Sequence, residues 1–248
     1  MFAVWKREFQ NYFLTPIGYV FMAMFLLMAG IFFYRGNLMK SSADMTGMFS
    51  NLCYIFMLMV PILTMRLLSE ERKNKTDQLL ITSPVSIHSM VIGKFLAALS
   101  VLLITVALTL VYSVVIVKYS VSGTFGVAEG DSAGLVITRY IGFIALCSCY
   151  IAIGVLMSAL TENQVSAAVL TLGVNVLLQI LEALAPQITI PYLSFVGTML
   201  SWLSLYSRYT TFSAGMFSIA DLVYFVSVVG VMLFLTVRVI DKRRWSEG

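Results

Sequence analysis

Apolar residues run in six long stretches, with polar residues gathered between them. The stretches cover about 17–34, 48–68, 91–117, 135–160, 165–184 and 222–239. Each holds roughly the 20 residues that a helix needs to cross the hydrocarbon core of a bilayer. The third and fourth are long enough to tilt. The pattern predicts an all-α polytopic membrane protein with six transmembrane helices. Ahead of the first span, Phe2, Trp5, Phe9, Tyr12 and Phe13 recur at helical spacing, with Lys6, Arg7, Glu8, Gln10 and Asn11 between them. That alternation predicts a short interfacial helix over residues 1–13. Thr15-Pro16 ends it, because proline suits the first turn of a new helix.

Composition agrees. Apolar residues make up 60% of the 248 and charged residues 11%, and the mean hydropathy is +0.93. Soluble domains run at about 45–50% apolar and about 25% charged, so a soluble enzyme is excluded. No inter-span segment is long enough for a soluble catalytic domain, which starts at about 50 residues. One transmembrane domain therefore covers 1–248. No GxxxxGK[ST] occurs, and Gly93-Lys94 lacks the upstream glycine of a P-loop. The chain has no phosphate-binding motif of its own, so its energy source lies on another chain or in an ion gradient. With one histidine, His88, HExxH zinc chemistry is excluded. Cys53, Cys147 and Cys149 sit in apolar runs as packing residues. No catalytic residue, bound cofactor or metal site is expected.

Lys and Arg set the orientation. With the N-terminus in the cytoplasm, eleven of the 16 fall inside and five outside, the distribution of the positive-inside rule. Both termini are then cytoplasmic. The net charge of +4 reflects this bias, and no nucleic-acid partner is implied. The N-terminal segment lacks a small-residue cleavage site, so it is read as an anchor and not as a cleaved leader. Arg139, near the outer end of span four, is expected to snorkel to headgroups. Pro61 is expected to kink span two.

The cytoplasmic loop 69–90 carries Glu70, Glu71, Arg72, Lys73, Lys75 and Asp77. Thr76 is placed to cap a short helix whose end is apolar through Leu79, Leu80 and Ile81. Ser83-Pro84 forms a second cap leading into span three. A charged, capped helix with an apolar tip suits docking to a cytosolic protein; a plain solvated loop is the alternative.

In span five, Thr171, Asn175, Gln179 and Glu182 follow at spacings of 4, 4 and 3 and share one helix face. Such a stripe turns from lipid. It lines either a route through the membrane, a seam with a second chain, or a helix–helix contact joined by hydrogen bonds. Segment 185–221 is rich in aromatics, among them Tyr192, Phe195, Trp202, Tyr206 and Tyr209. It is broken by Pro186, Pro191, Gly197 and Gly215. It predicts an outer-face re-entrant hairpin that meets membrane lipid before span six, not a seventh span.

The run Glu70-Glu71-Arg72…Lys75-Thr76-Asp77-Gln78-Leu79-Leu80…Ser83-Pro84, continuing to Gly93-Lys94-Phe95, resembles the loop after the second span of ABC type 2 exporter permeases. It is most like the branch with gliding-motility and nitrous-oxide-maturation permeases. That branch usually has glycine before the threonine and glutamate two residues after it; here those positions are Lys75 and Gln78. Lys6-Arg7-Glu8 with Pro16, Gly18 and Tyr19 is similar to the family's entry helix. Thr161-Glu162-Asn163-Gln164 is similar to its tight cytoplasmic turn.

The resemblance implies a permease subunit of the bacterial cytoplasmic membrane that moves substrate on a partner's energy. ATP and Mg would sit on a cytosolic ABC ATPase. Glu70, Glu71, Arg72, Thr76, Leu79 and Leu80 of the cytoplasmic coupling helix would meet that ATPase. A second permease copy or homologue would complete the pathway, and segment 185–221 would form an outer lid. In the gliding branch a partner with an extracytoplasmic domain is also expected. The alternative class is an ion-coupled secondary transporter or channel, which normally breaks or charges its helices at the midplane.

Overall fold

The computed structural model describes residues 1–40, 42–73, 86–121, 133–184 and 204–246, which are helical apart from short turns. In chain order the helices are α1 (Phe2–Leu14), α2 (Pro16–Phe33), α3 (Thr46–Thr64), α4 (Ser69–Lys73), α5 (Ile87–Val121), α6 (Ala133–Leu160), α7 (Gln164–Leu184), α8 (Leu205–Ser213) and α9 (Ile219–Ser246). Six of them are long and apolar enough to cross a membrane: α2, α3, α5, α6, α7 and α9. These are the six stretches that the hydrophobic pattern marks, with ends shifted by a few residues.

The helices pack around a central pair. In the most apolar window of each, 72% of the residues are buried in α6 and 67% in α3, against 17% in α7 and 22% in α9. α2, α5 and α9 flank the pair in sequence around one side, while α7 packs on α3 and α6. An aromatic cluster joins the centre. Phe21 and Phe25 of α2 meet Phe56 of α3 edge-on at 6.1 and 6.3 Å. Phe49 of α3 meets Tyr140 of α6 at 4.8 Å, also edge-on. Such pairs add about 0.5–1.5 kcal/mol each beyond the area they bury.

Close approach needs small residues at two crossings. A Cβ on Gly154 of α6 would fall within 2.8 Å of Thr64 Cβ on α3. A Cβ on Gly18 would fall 2.5 Å from the Tyr12 carbonyl oxygen, so α2 can fold back against the end of α1 only with glycine there.

Local chemistry sets the ends. Thr15 is extended, with Pro16 opening α2, as the sequence predicts. α2 widens into a π turn at Tyr34–Leu38. Asn37 Nδ2 then donates to the Ser42 and Asp44 carbonyls at 2.9 and 3.0 Å, fixing the hairpin to α3. Asp44 Oδ1 accepts from Thr46 N at 2.8 Å and starts α3. Pro61 lies inside α3, which gives way to a turn at 65–68.

The structure alters two expectations, and a third falls outside the described residues. Residues 69–73 are not loop but the helix α4. Glu70 and Glu71 lie in its first turn and Arg72 and Lys73 in its last, the arrangement that the helix dipole favours. The third span begins at Ile87 with Ser86 at its cap, its hydroxyl 2.8 Å from that of Ser89; Ser83-Pro84 lies outside the described residues. Arg139 does not snorkel. It is 5% exposed, because its Nε donates to the Ser213 carbonyl at 2.8 Å and Nη2 lies 3.7 Å from Asp44 Oδ1.

Candidate functional site

At the α1 end of the bundle, four elements converge on one buried ammonium. Lys94, in the first turns of α5, has a side chain only 1% exposed. Its Nζ lies 2.8 Å from Glu71 Oε1 on α4 and 3.4 Å from Glu8 Oε1 on α1. It donates to the Leu67 carbonyl, where the turn after α3 leaves an acceptor free, at 2.5 Å. Arg7 Nη2 closes the ring, 2.9 Å from Glu8 and 3.2 Å from Glu71. The Glu8 hydrogen bond, foremost, raises the Arg7 pKa and holds its charge. A buried charge is tolerated only when paired and hydrogen-bonded. Lys94 meets both conditions.

α1 earns its place here by its two faces. Phe2, Trp5, Phe9 and Phe13 follow one another in a ladder with ring centroids 5.0–5.7 Å apart, Trp5 and Phe9 stacked and the outer pairs tilted. On the inward face, Glu8 and Tyr12, four residues apart, are buried. Tyr12 Oη donates to the Leu63 carbonyl at 2.7 Å, and Trp5 Nε1 donates to Ser100 Oγ at 2.9 Å. α1 is therefore packed on α5 and joined to α3 by hydrogen bonding, beyond the surface anchoring that its sequence predicts.

α4 is tied to α6 as well. Ser158 Oγ accepts from the backbone N–H of Leu68 and Ser69, both at 3.1 Å, and donates to the Met65 carbonyl at 3.2 Å. Ser69 Oγ also donates to the Met65 carbonyl. Arg72 pairs with Glu162 at 2.5 Å and donates to the Leu160 carbonyl at 3.2 Å, joining α4 to the turn between α6 and α7. Glu70 takes both contacts of a forked pair with Arg66, at 2.7 and 2.8 Å.

Of the six residues marked for docking, Glu70, Glu71 and Arg72 thus lie together in α4, and each is held by a partner within the chain. Thr76, Leu79 and Leu80 lie outside the described residues. Glu8, Lys94 and Ser158 complete the site; Glu8 and Lys94 fall in motifs that carry the resemblance but are given no role there, and Ser158 is not marked at all. The one legible signal is charge placement: Lys94 interrupts the start of an apolar run, and Glu8 sits between aromatics.

The span-five stripe divides along its length. Thr171 and Asn175 are buried, at 0% and 1% exposure. Thr171 bonds its own helix, to the Ala167 carbonyl at 2.8 Å. Both polar atoms of the Asn175 amide are buried without a hydrogen-bond partner. Gln179 and Glu182 are half-buried, and Glu182 Oε2 accepts from Tyr206 N at 3.3 Å.

At the end of the bundle opposite α1, Tyr206 and Tyr209 belong to α8. Ser204 caps that helix by accepting from Ser207 N, and Gly215, with φ of 84°, turns the chain beyond it. Tyr209 and Phe212 are fully buried. Burial pushes the Tyr206 phenol up to about 12 and Tyr209 higher still, so both stay protonated. Arg208 pairs with Asp221 at 2.8 Å and lies 4.1 Å over the Tyr224 ring. Tyr192, Phe195 and Trp202 lie outside the described residues. Cys53, Cys147 and Cys149 are free and buried. Among the described residues no cluster of His, Cys, Asp or Glu could hold a metal ion.

Six apolar helices, four of them packed around a central pair, with charge collected at the helix ends, define a polytopic membrane protein. Residues 2–240 match the family model described as ABC-2 family transporter protein, and the chain belongs to that family, the membrane permeases of ABC transporters. No curated protein matches the sequence.

Proposed function

We propose that this chain is the permease subunit of an ATP-driven exporter, with both termini in the cytoplasm, and that it takes its energy from a separate cytosolic ABC ATPase. The family supports the division of labour. The observation that carries the docking site is the ion-paired seat of α4. The segment that follows span two starts from a helix bonded to α1, α5 and α6. A push on residues 74–85 would enter the bundle through this helix and reach α1 and two spans at once. Glu70 and Arg72, partly exposed, would border the ATPase, while Glu71 would hold α4 to the bundle. Thr76, Leu79 and Leu80 would supply the contact itself. ATP and Mg would bind the ATPase.

The exposed face of α7 would meet a second permease, a copy or a homologue, with Gln179 and Glu182 near the seam. α8 and the residues before it would form the outer lid. The charge motifs favour the gliding-motility and nitrous-oxide-maturation branch, where a partner with an extracytoplasmic domain is expected.

Affinity purification of the tagged chain in gentle detergent, followed by mass spectrometry, tests the reading. A stoichiometric partner with a GxxxxGK[ST] sequence is the expected outcome. Recovery of the chain alone, with ion-dependent and ATP-independent transport, would assign it instead to secondary transporters.

A further inference from the structure

A cavity of about 340 Å³ opens between α1, the end of α3 and α4. One part of its wall is apolar, with Ile17 and Leu63; another carries Arg7, Arg66, Glu8 and Glu70. We infer that this cavity binds the headgroup of a phospholipid carrying both a phosphodiester and a primary amine. The donors fit a phosphodiester. Arg7 commits only Nη2 to its carboxylates, and Arg66 commits Nε and Nη2 to Glu70. Each guanidinium keeps N–H groups for a phosphate oxygen, the acceptor that such forks suit.

Lys94 is excluded as a ligand, since Glu71, Glu8 and the Leu67 carbonyl occupy it. The charge balance selects the headgroup. Arg7, Arg66 and Lys94 offset Glu8, Glu70 and Glu71, so the site is neutral as it stands. A bare anion would leave an uncompensated charge there, whereas a zwitterion adds none, and its ammonium has the Glu70 and Glu8 carboxylates as acceptors.

Depth selects a lipid over free phosphate. The cavity lies where the apolar spans end, beside Thr15 at the start of α2 and Leu63 to Leu67 at the end of α3. That is headgroup level, and the apolar wall lies beside the acyl chains.

The test is native mass spectrometry of the full chain, with its co-purifying partners. The protein is stripped of lipid in detergent and then offered phosphatidylethanolamine, phosphatidylcholine or phosphatidylglycerol in mixed micelles. The expected result is one retained phosphatidylethanolamine per chain, preferred roughly tenfold over the other two. Arg7→Gln with Arg66→Gln should abolish the preference. Ile17→Trp, which fills the apolar wall and leaves every charge in place, should lose the lipid while keeping the wild-type elution profile. Equal retention of the three lipids, full retention by Ile17→Trp, or displacement by millimolar inorganic phosphate would overturn the assignment, the last by making the site one for free anions.

Discussion

The Lys94 ammonium lies 2.8 Å from Glu71 Oε1, with side-chain exposures of 1% and 15%. This contact joins the helix after span two to the start of span three. Removing Lys94 takes the buried ammonium from Glu71 and leaves the more exposed Arg7 at 3.2 Å; breaking a buried pair costs up to about 3–5 kcal/mol. Lys94→Met should therefore lower the thermal midpoint in detergent markedly. Adding Glu71→Leu removes the carboxylate that lost its ammonium and should recover part of the loss. A double variant no better than the single would mean that the two residues do not act as a pair.

Gly154 and Thr64 set how closely α6 approaches α3. Gly154→Ala places a methyl group within 2.8 Å of Thr64 Cβ, and overpacking of this kind costs about 1–3 kcal/mol. Thr64→Ala in the same chain should restore part of the stability. Thermal unfolding of the three variants measures it, and strict additivity would argue against the contact.

Arg139 fastens α8 to α6. Arg139→Leu leaves the Ser213 carbonyl without its buried donor, a loss of about 1–3 kcal/mol. Limited proteolysis should then cut within 204–218 faster than in the wild type, while cleavage at the α1 end stays unchanged. Equal cleavage rates would show that Arg139 does not hold α8.

The six helices were legible because a bilayer imposes one rule: long, uncharged, helical runs. α4 and Arg139 were not, for one shared reason. Sequence shows a charge but not the acceptors that the fold brings to it. Glu70, Glu71 and Arg72 read as charges offered to a docking partner until Lys94, Arg66 and Glu162 meet them within the fold. Arg139 reads as a snorkelling residue until the Ser213 carbonyl reaches it from 74 positions away. The polar stripe was half legible. Its spacing gives the shared face, but not that Asn175 is buried without a partner while Gln179 and Glu182 remain partly accessible.

That difference along the stripe has a labelling consequence. If the stripe borders a route, cysteines at 175 and 179 react with aqueous thiol reagents in the assembled complex, and the extent changes with nucleotide. The native cysteines are all buried, so background labelling is low. Protection of both positions in every nucleotide state would reduce the stripe to helix packing.

Leu79→Asp with Leu80→Asp tests the coupling account most directly, because it changes two apolar residues of segment 74–85 and none of the ion-paired residues of α4. The quantity to measure is the amount of ATPase co-purifying per permease, against wild type. The account expects the double variant to insert and elute normally but to lose the ATPase. Undiminished co-purification would contradict it and move the interface away from the segment after span two.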